Sequence, residues 1–235
     1  MTGAKISSLA DVRPGDIFFG PIGGAVGIGV GLGQALLGEG WSVGPLKIRH
    51  VGIVVEAASI PKFLAGGTNR PLMVQAMPGG AEEIEMTPER HWTSSCAYVR
   101  LPEDYPGQAQ DAAAIARLMV AEGVAYSFAS YGALALWHWG VHAKRLERWI
   151  GRRRPGAITL PHWGNGPSVP LYPGWTRGGR LPVEAICSVL VDQAWTLAGK
   201  LVMDGVPHQV VTPGALAGRL LFETEGVQWS FPDRK

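Results

Sequence analysis

Short β-branched and aromatic runs fill the first hundred residues of this chain, and helical spacing follows them. Ile17-Phe18-Phe19, just after the turn signal Arg13-Pro14-Gly15-Asp16, has the composition of a short apolar strand. Ile48 to Glu56 (IRHVGIVVE) is β-branched and apolar, the pattern of a buried strand. Leu72 to Met77 (LMVQAM) predicts another, closed by the turn residues Pro78-Gly79-Gly80, with Glu83 to Glu85 extending a hairpin. Cys96 to Leu101 (CAYVRL) predicts one more. Gln108 to Glu122 is alanine-rich and helical in spacing, with Gly123 as its stop signal. Ser127 to Ile150 holds a second helical stretch that ends in a basic cluster. In Val183 to Ala198 (VEAICSVLVDQAWTLA), Ile186, Leu190, Ala194 and Leu197 recur at helical spacing as a buried stripe, and Gly199 stops the helix. Strands first and helices later, without a repeating βαβ unit, predict an α+β fold.

Two stretches break the pattern. Arg152 to Arg180 is rich in proline and glycine and keeps no period, so it reads as an ordered but irregular insertion, spanning about 137–180 with its flanks. No internal repeat and no sharp boundary divides the chain, which predicts one domain over residues 1–235. Gly20 to Gly38 carries no charge, and Gln34 is its only polar side chain, over a length close to that needed to cross a bilayer. Eight of its nineteen residues are glycine, however. Each glycine inside a helix costs about 0.5–1 kcal/mol relative to alanine, so close backbone packing is the better expectation than membrane contact through 20–38.

Composition narrows the classes. With 46% hydrophobic and 17% charged residues, the chain has a globular composition. A net charge of +2 argues against a nucleic-acid binder that works through a broad basic face. Two cysteines, Cys96 and Cys187, are too few for a disulfide framework. The opening residues show no basic n-region followed by an apolar h-region, so no signal peptide is expected, and a protein of this kind is cytoplasmic when synthesised.

Cys187 falls in the first half of a predicted helix, where the partial positive charge of the N-terminus favours a thiolate. His50 opens a predicted buried strand, a rigid base for an imidazole. A thiol and an imidazole are the minimum set for nucleophilic acyl chemistry, the base taking the proton and later returning it. Alone, the pair is weak, since a buried cysteine is usually a small hydrophobe.

The surrounding residues add to it. Arg13-Pro14-Gly15-Asp16-Ile17 followed by Arg49-His50-Val51-Gly52-Ile53-Val54-Val55 resembles the opening of the permuted NlpC-type papain-like cysteine peptidases, a group related to lecithin-retinol-acyltransferase-like proteins. Met73-Val74-Gln75-Ala76 is similar to the family's strand bearing a third polar residue. Ala125-Tyr126-Ser127-Phe128 resembles a Tyr-Asp-Phe element, Cys187-Ser188-Val189-Leu190-Val191 the nucleophile helix, and Val211-Thr212-Pro213 a closing Thr-Pro segment. These matches keep the family's order from about Asp11 to Ala217. The histidine precedes the cysteine, the reverse of the papain order and the one a permuted chain requires. The resemblance implies a circularly permuted papain-like fold, a small antiparallel sheet packed against helices. It further implies Cys187 as nucleophile and His50 as base. Glu56 lies about 20 Å from His50 along an extended strand, whereas Gln75 on an adjacent strand can orient the ring, so by reach and resemblance Gln75 is the third residue. Tyr126, Ser188, Trp163 and Trp175 are the expected substrate contacts. Three residues depart from the family pattern: Arg49, Ser127 and Val189 stand where it has serine, aspartate and glutamate.

Other constellations carry less. His138 and His142 lie four apart with His162 as a distant third, yet no carboxylate or cysteine completes a ligand spacing, so neither a metal site nor any cofactor is expected. Lys144, Arg145, Arg148 and Arg152 to Arg154 form a basic cluster, and Trp137, Trp139, Trp149, Trp163 and Trp175 concentrate nearby, either as a contact surface or as a small core. Three functions stay open. The first is a thiol peptidase cleaving an amide bond in peptidoglycan stem peptides, as a phage lysin or a tail-associated virion enzyme acting on the cell envelope, with partner proteins in the tail assembly. The others are an acyl-lipid hydrolase or acyltransferase, and a structural virion component with a hydrolase-like fold.

Overall fold

The computed structural model describes residues 6–24, 27, 30, 48–58, 70–126, 184–203, 211–223 and 228–230. The β-branched runs form β1 (Ile17–Gly20), β2 (His50–Glu56), β3 (Leu72–Met77), β4 (Gly80–Glu85) and β5 (Ala97–Arg100). With β8 (Gln228–Ser230) they build an antiparallel sheet in the order β4-β3-β2-β1-β5-β8. Two strands, β6 (Ala125–Tyr126) and β7 (Glu184–Ala185), pair in parallel apart from it. Among the described residues the α-helices are α1 (Pro88–His91), α2 (Gln108–Ala121), α3 (Cys187–Leu197) and α4 (Pro213–Gly218). The arrangement is α+β, as the order of patterns predicts.

Period-2 alternation sorts the sheet residues into two clusters. Ile17, Phe19, Val51, Ile53, Val55, Val74 and Ala76 join a large core with Ala112, Ala116 and Met119 of α2 and Leu190, Val191 and Ala194 of α3. Phe18, Val54, Met73 and Tyr98 belong to a smaller cluster on the other face, with Ile6, Val12 and Met86. Two buried polar side chains fasten neighbouring elements to each other. Gln108, fully buried, donates from Nε2 to the Ala198 carbonyl at 2.9 Å and accepts from Asp104 N–H at 2.8 Å, which ties α2 to the end of α3. Asp16, at 2% exposure, takes two bonds from Arg100, Nε to Oδ1 at 2.8 Å and Nη2 to Oδ2 at 2.6 Å, clamping β1 to β5.

Glycine marks the expected stops and one unexpected contact. Gly123 and Gly199 take positive φ (66° and 85°) after α2 and α3, where an L side chain would be strained. Gly15 has φ 89°, and a Cβ there would come within 2.6 Å of the Ala109 methyl, so the Pro-Gly-Asp turn lies directly on the first turn of α2.

The structure corrects the helix predicted over 183–198. Ile186 is extended (φ −93°, ψ 166°) and α3 starts at Cys187, because Glu184 and Ala185 pair with Ala125 and Tyr126. A backbone ladder outweighs the helical periodicity of the side chains there. The single buried stripe also gives way: Ser188, Val189, Asp192 and Gln193 are buried as well, since α3 sits among β2, β3, α2 and α4. The helix predicted in 127–150 and the insertion at about 137–180 lie outside the described residues, with Trp163, Trp175 and the basic cluster. Most of 20–38 does too. Among the described residues no helix is long and apolar enough to cross a membrane.

Candidate active site

β2 and β3 run side by side and carry the two polar residues that their apolar neighbours leave conspicuous. His50 is 4% exposed and Gln75 7% exposed. His50 Nε2 lies 2.6 Å from Gln75 Oε1, so the predicted orienting pair is brought into direct contact. On β4, directly opposite Gln75, Glu82 extends the line: Gln75 Nε2 donates to Glu82 Oε1 at 2.7 Å. Sequence reasoning missed Glu82; hairpin pairing, once β3 and β4 are in register, is the signal that finds it.

The other imidazole nitrogen, Nδ1, is buried and makes no hydrogen bond among the described residues. Burial disfavours the charged ring and lowers the His50 pKa to about 4; the bond to Gln75 works in the opposite direction, and the nearby His91 adds to the lowering. The ring is therefore neutral near pH 7, the form that can accept a proton. Beside it on the same face, His91 packs edge-on against Phe18, with centroids 5.5 Å apart, and its backbone carbonyl accepts from the Tyr98 hydroxyl.

Cys187 is the first residue of α3 and 1% exposed. No side chain caps this helix, because the N-cap is Ile186, so first-turn N–H groups and the helix dipole act on the position of the thiol. The helix packs on β2 and β3, the strands of His50 and Gln75. Alternation along β2, however, groups His50 with Gly52 and Val54, on the side of Phe18 and Met73, whereas Cys187 belongs to the helix-side cluster. Nδ1 makes no hydrogen bond to the thiol. The structure thus joins His50 to Gln75, and brings the helix that starts at Cys187 onto the same strands.

Of the remaining predicted contacts, Tyr126 is half-buried on β6. Ser188 is fully buried, and its hydroxyl donates to the Val211 carbonyl at 2.6 Å, tethering α3 to the residues before α4. Thr212 caps α4, accepting from Ala215 N–H at 3.0 Å. Glu56, set aside on reach, binds Arg117 Nη2 at 2.7 Å. Neither cysteine is in a disulfide; Cys96 lies immediately before β5, where burial pushes its pKa up. No cluster of three or more metal-ligating side chains occurs among the described residues. Comparison with protein-family models finds no match, and comparison with curated proteins finds none either.

Proposed function

We propose that the chain is a thiol hydrolase with a circularly permuted papain-like fold, acting on an amide bond of peptidoglycan stem peptides. Cys187 is its nucleophile, His50 its base and Gln75 the residue that orients the base. The observation that carries this reading is the His50 ring: one nitrogen is bound to Gln75 at 2.6 Å and the other is buried, neutral and uncommitted. A structural histidine in so apolar a place would normally satisfy both nitrogens. The uncapped start of α3 adds a place where a thiolate is favoured.

In this reading Nδ1 takes the Cys187 proton as sulfur attacks the amide carbonyl, and the imidazolium then protonates the leaving amine. Water, deprotonated by the same nitrogen, next cleaves the thioester, releasing the acid and the free thiol. Reaction requires the sulfur to reach Nδ1 at about 3–4 Å. Delivery in a phage tail would bring such a hydrolase to the cell wall.

The test is digestion of purified sacculi, and separately of phospholipid vesicles, with mass spectrometry of the products. Wild type should release free amino and carboxyl ends from stem peptides, and Cys187→Ala should lose at least about a thousandfold in rate. Iodoacetamide should label Cys187 much faster than Cys96 near neutral pH; equal rates would remove the nucleophile assignment. Fatty-acid release from the vesicles would instead select the lipid reading. A second reading, a structural virion component with a hydrolase-like fold, is favoured by the near-complete burial of the thiol and the imidazole. An inert Cys187 in a folded protein would remove the hydrolase and favour this second reading.

A further inference from the structure

The hydrogen bonds around Gln75 contain more information than its contact with His50. A carboxylate accepts and never donates. Glu82 Oε1, 2.7 Å from Gln75 Nε2, therefore demands the NH2 end of the amide, and the carbonyl end is left to face His50. That oxygen in turn demands an N–H, so Nε2 of His50 must be the protonated nitrogen. The proton cannot then be on Nδ1, whose lone pair is the free one. The geometry points to Glu82 as a positioning residue that sets the tautomer of His50 from the far side of Gln75. Its role as an aid to catalysis rests on the hydrolase reading above, but the tautomer itself does not.

The arrangement is cheap for the fold. Glu82 is exposed, on the edge strand β4, and its carboxylate reaches Gln75. Adjacent Glu83 and Glu56 bind Arg117 instead, so Glu82 is the carboxylate that serves Gln75. If Gln75 turned its amide over, its NH2 would face an Nε2 lone pair and its oxygen would face a carboxylate. Two acceptors would oppose each other at less than 3 Å. With Glu82 replaced, that penalty vanishes, and both amide orientations and both ring tautomers become accessible.

The experiment reads the tautomer directly. In full-length protein labelled with 15N-histidine, two-bond 1H–15N correlation spectra near pH 7 distinguish the protonated from the lone-pair nitrogen of each ring. His50→Gln identifies the His50 signals. Wild type should show His50 in the Nε2–H form, outnumbering the other by roughly tenfold or more, as expected for a chain of bonds anchored on a charge. Glu82→Gln, which can donate as well as accept, and Glu82→Ala should each bring the two forms to comparable populations. Glu83→Gln, which touches Arg117 and not Gln75, should leave the wild-type spectrum unchanged. A wild-type ring in the Nδ1–H form, or Glu82 variants that keep the wild-type tautomer, would overturn the inference. Cys187 alkylation measured on the same samples separates the two claims. A tautomer shift with an inert thiol upholds the positioning role and removes the hydrolase, whereas a reactive thiol with an unmoved tautomer does the reverse.

Discussion

The two faces of the six-stranded sheet are made by the same strands, one residue out of step, and they differ in kind. The helix-side face is apolar: Ile17, Phe19, Val51, Ile53, Val55, Val74 and Ala76 meet α2 and α3 without a polar partner among them. The opposite face keeps a smaller apolar patch around Phe18, Val54, Met73 and Tyr98, and mixes polar groups into it. Asp16 and Arg100 flank it at one end, and His50, Gln75 and Glu82 cross it at the other. One face supplies cohesion that ignores pH. The other holds groups whose charge and proton positions matter. The proposed nucleophile belongs to the first face and its base to the second, so the hydrolase depends on their meeting where α3 and β2 begin.

This contrast can be broken most severely at the buried ion pair. Arg100→Met leaves the Asp16 carboxyl almost fully buried without its cation, and should cost about 3–5 kcal/mol in urea unfolding. A cost under 1 kcal/mol would make the pair dispensable. Acidification should come next. The His50 pKa is lower in the folded state, about 4 against 6.5, so the unfolded chain binds the extra proton between these values. Stability contributed by keeping this ring neutral is complete above pH 6.5 and falls as pH drops toward 4, by about 3 kcal/mol in all. His50→Leu should lack that part of the acid-induced loss, as read from midpoints at pH 7 and pH 4.5. Ile53→Val, on the helix side, should cost about 1 kcal/mol at both pH values. A strongly pH-dependent cost at Ile53 would erase the distinction between the faces. Smallest of all, Arg117→Ala removes partly exposed ion pairs with Glu56 and Glu83 and should cost less than about 1 kcal/mol, decreasing with salt.

Much of this architecture was legible from hydrophobic periodicity. β1, β2, β3 and α2 fall within a residue or two of the predicted runs, because in each the local pattern and the tertiary packing agree. β8 and α1 went unread, being short and without a period of their own; neighbouring chain imposes their conformation. The start of α3 was misread for the same reason, as pairing with β6 holds residues 184 and 185 extended. At the candidate site, His50 and Gln75 were legible as polar residues inside apolar strands. Glu82 was not, since among Glu82, Glu83 and Glu85 only the register of the hairpin says which one faces Gln75. Resemblance suggested Cys187, and no pattern within the chain could say on which face of the sheet its helix would lie.

The small parallel pairing of β6 with β7 has an engineering consequence. Ala125 aligns with Glu184 and Tyr126 with Ala185, so the chain departs at Tyr126 and resumes one strand spacing away, about 4.8 Å. Everything between 126 and 184 is thus spliced into the frame at two neighbouring points. The entropic cost of joining such ends changes by only about 0.6 kcal/mol for each doubling of the connecting length. Because the paired strands point the same way, a substitute must turn back along β6 before rejoining, which sets a minimum length and leaves the maximum open. The pairing therefore acts as a clasp, holding Tyr126 and Glu184 at a fixed spacing and a fixed relative direction whatever length of chain joins them.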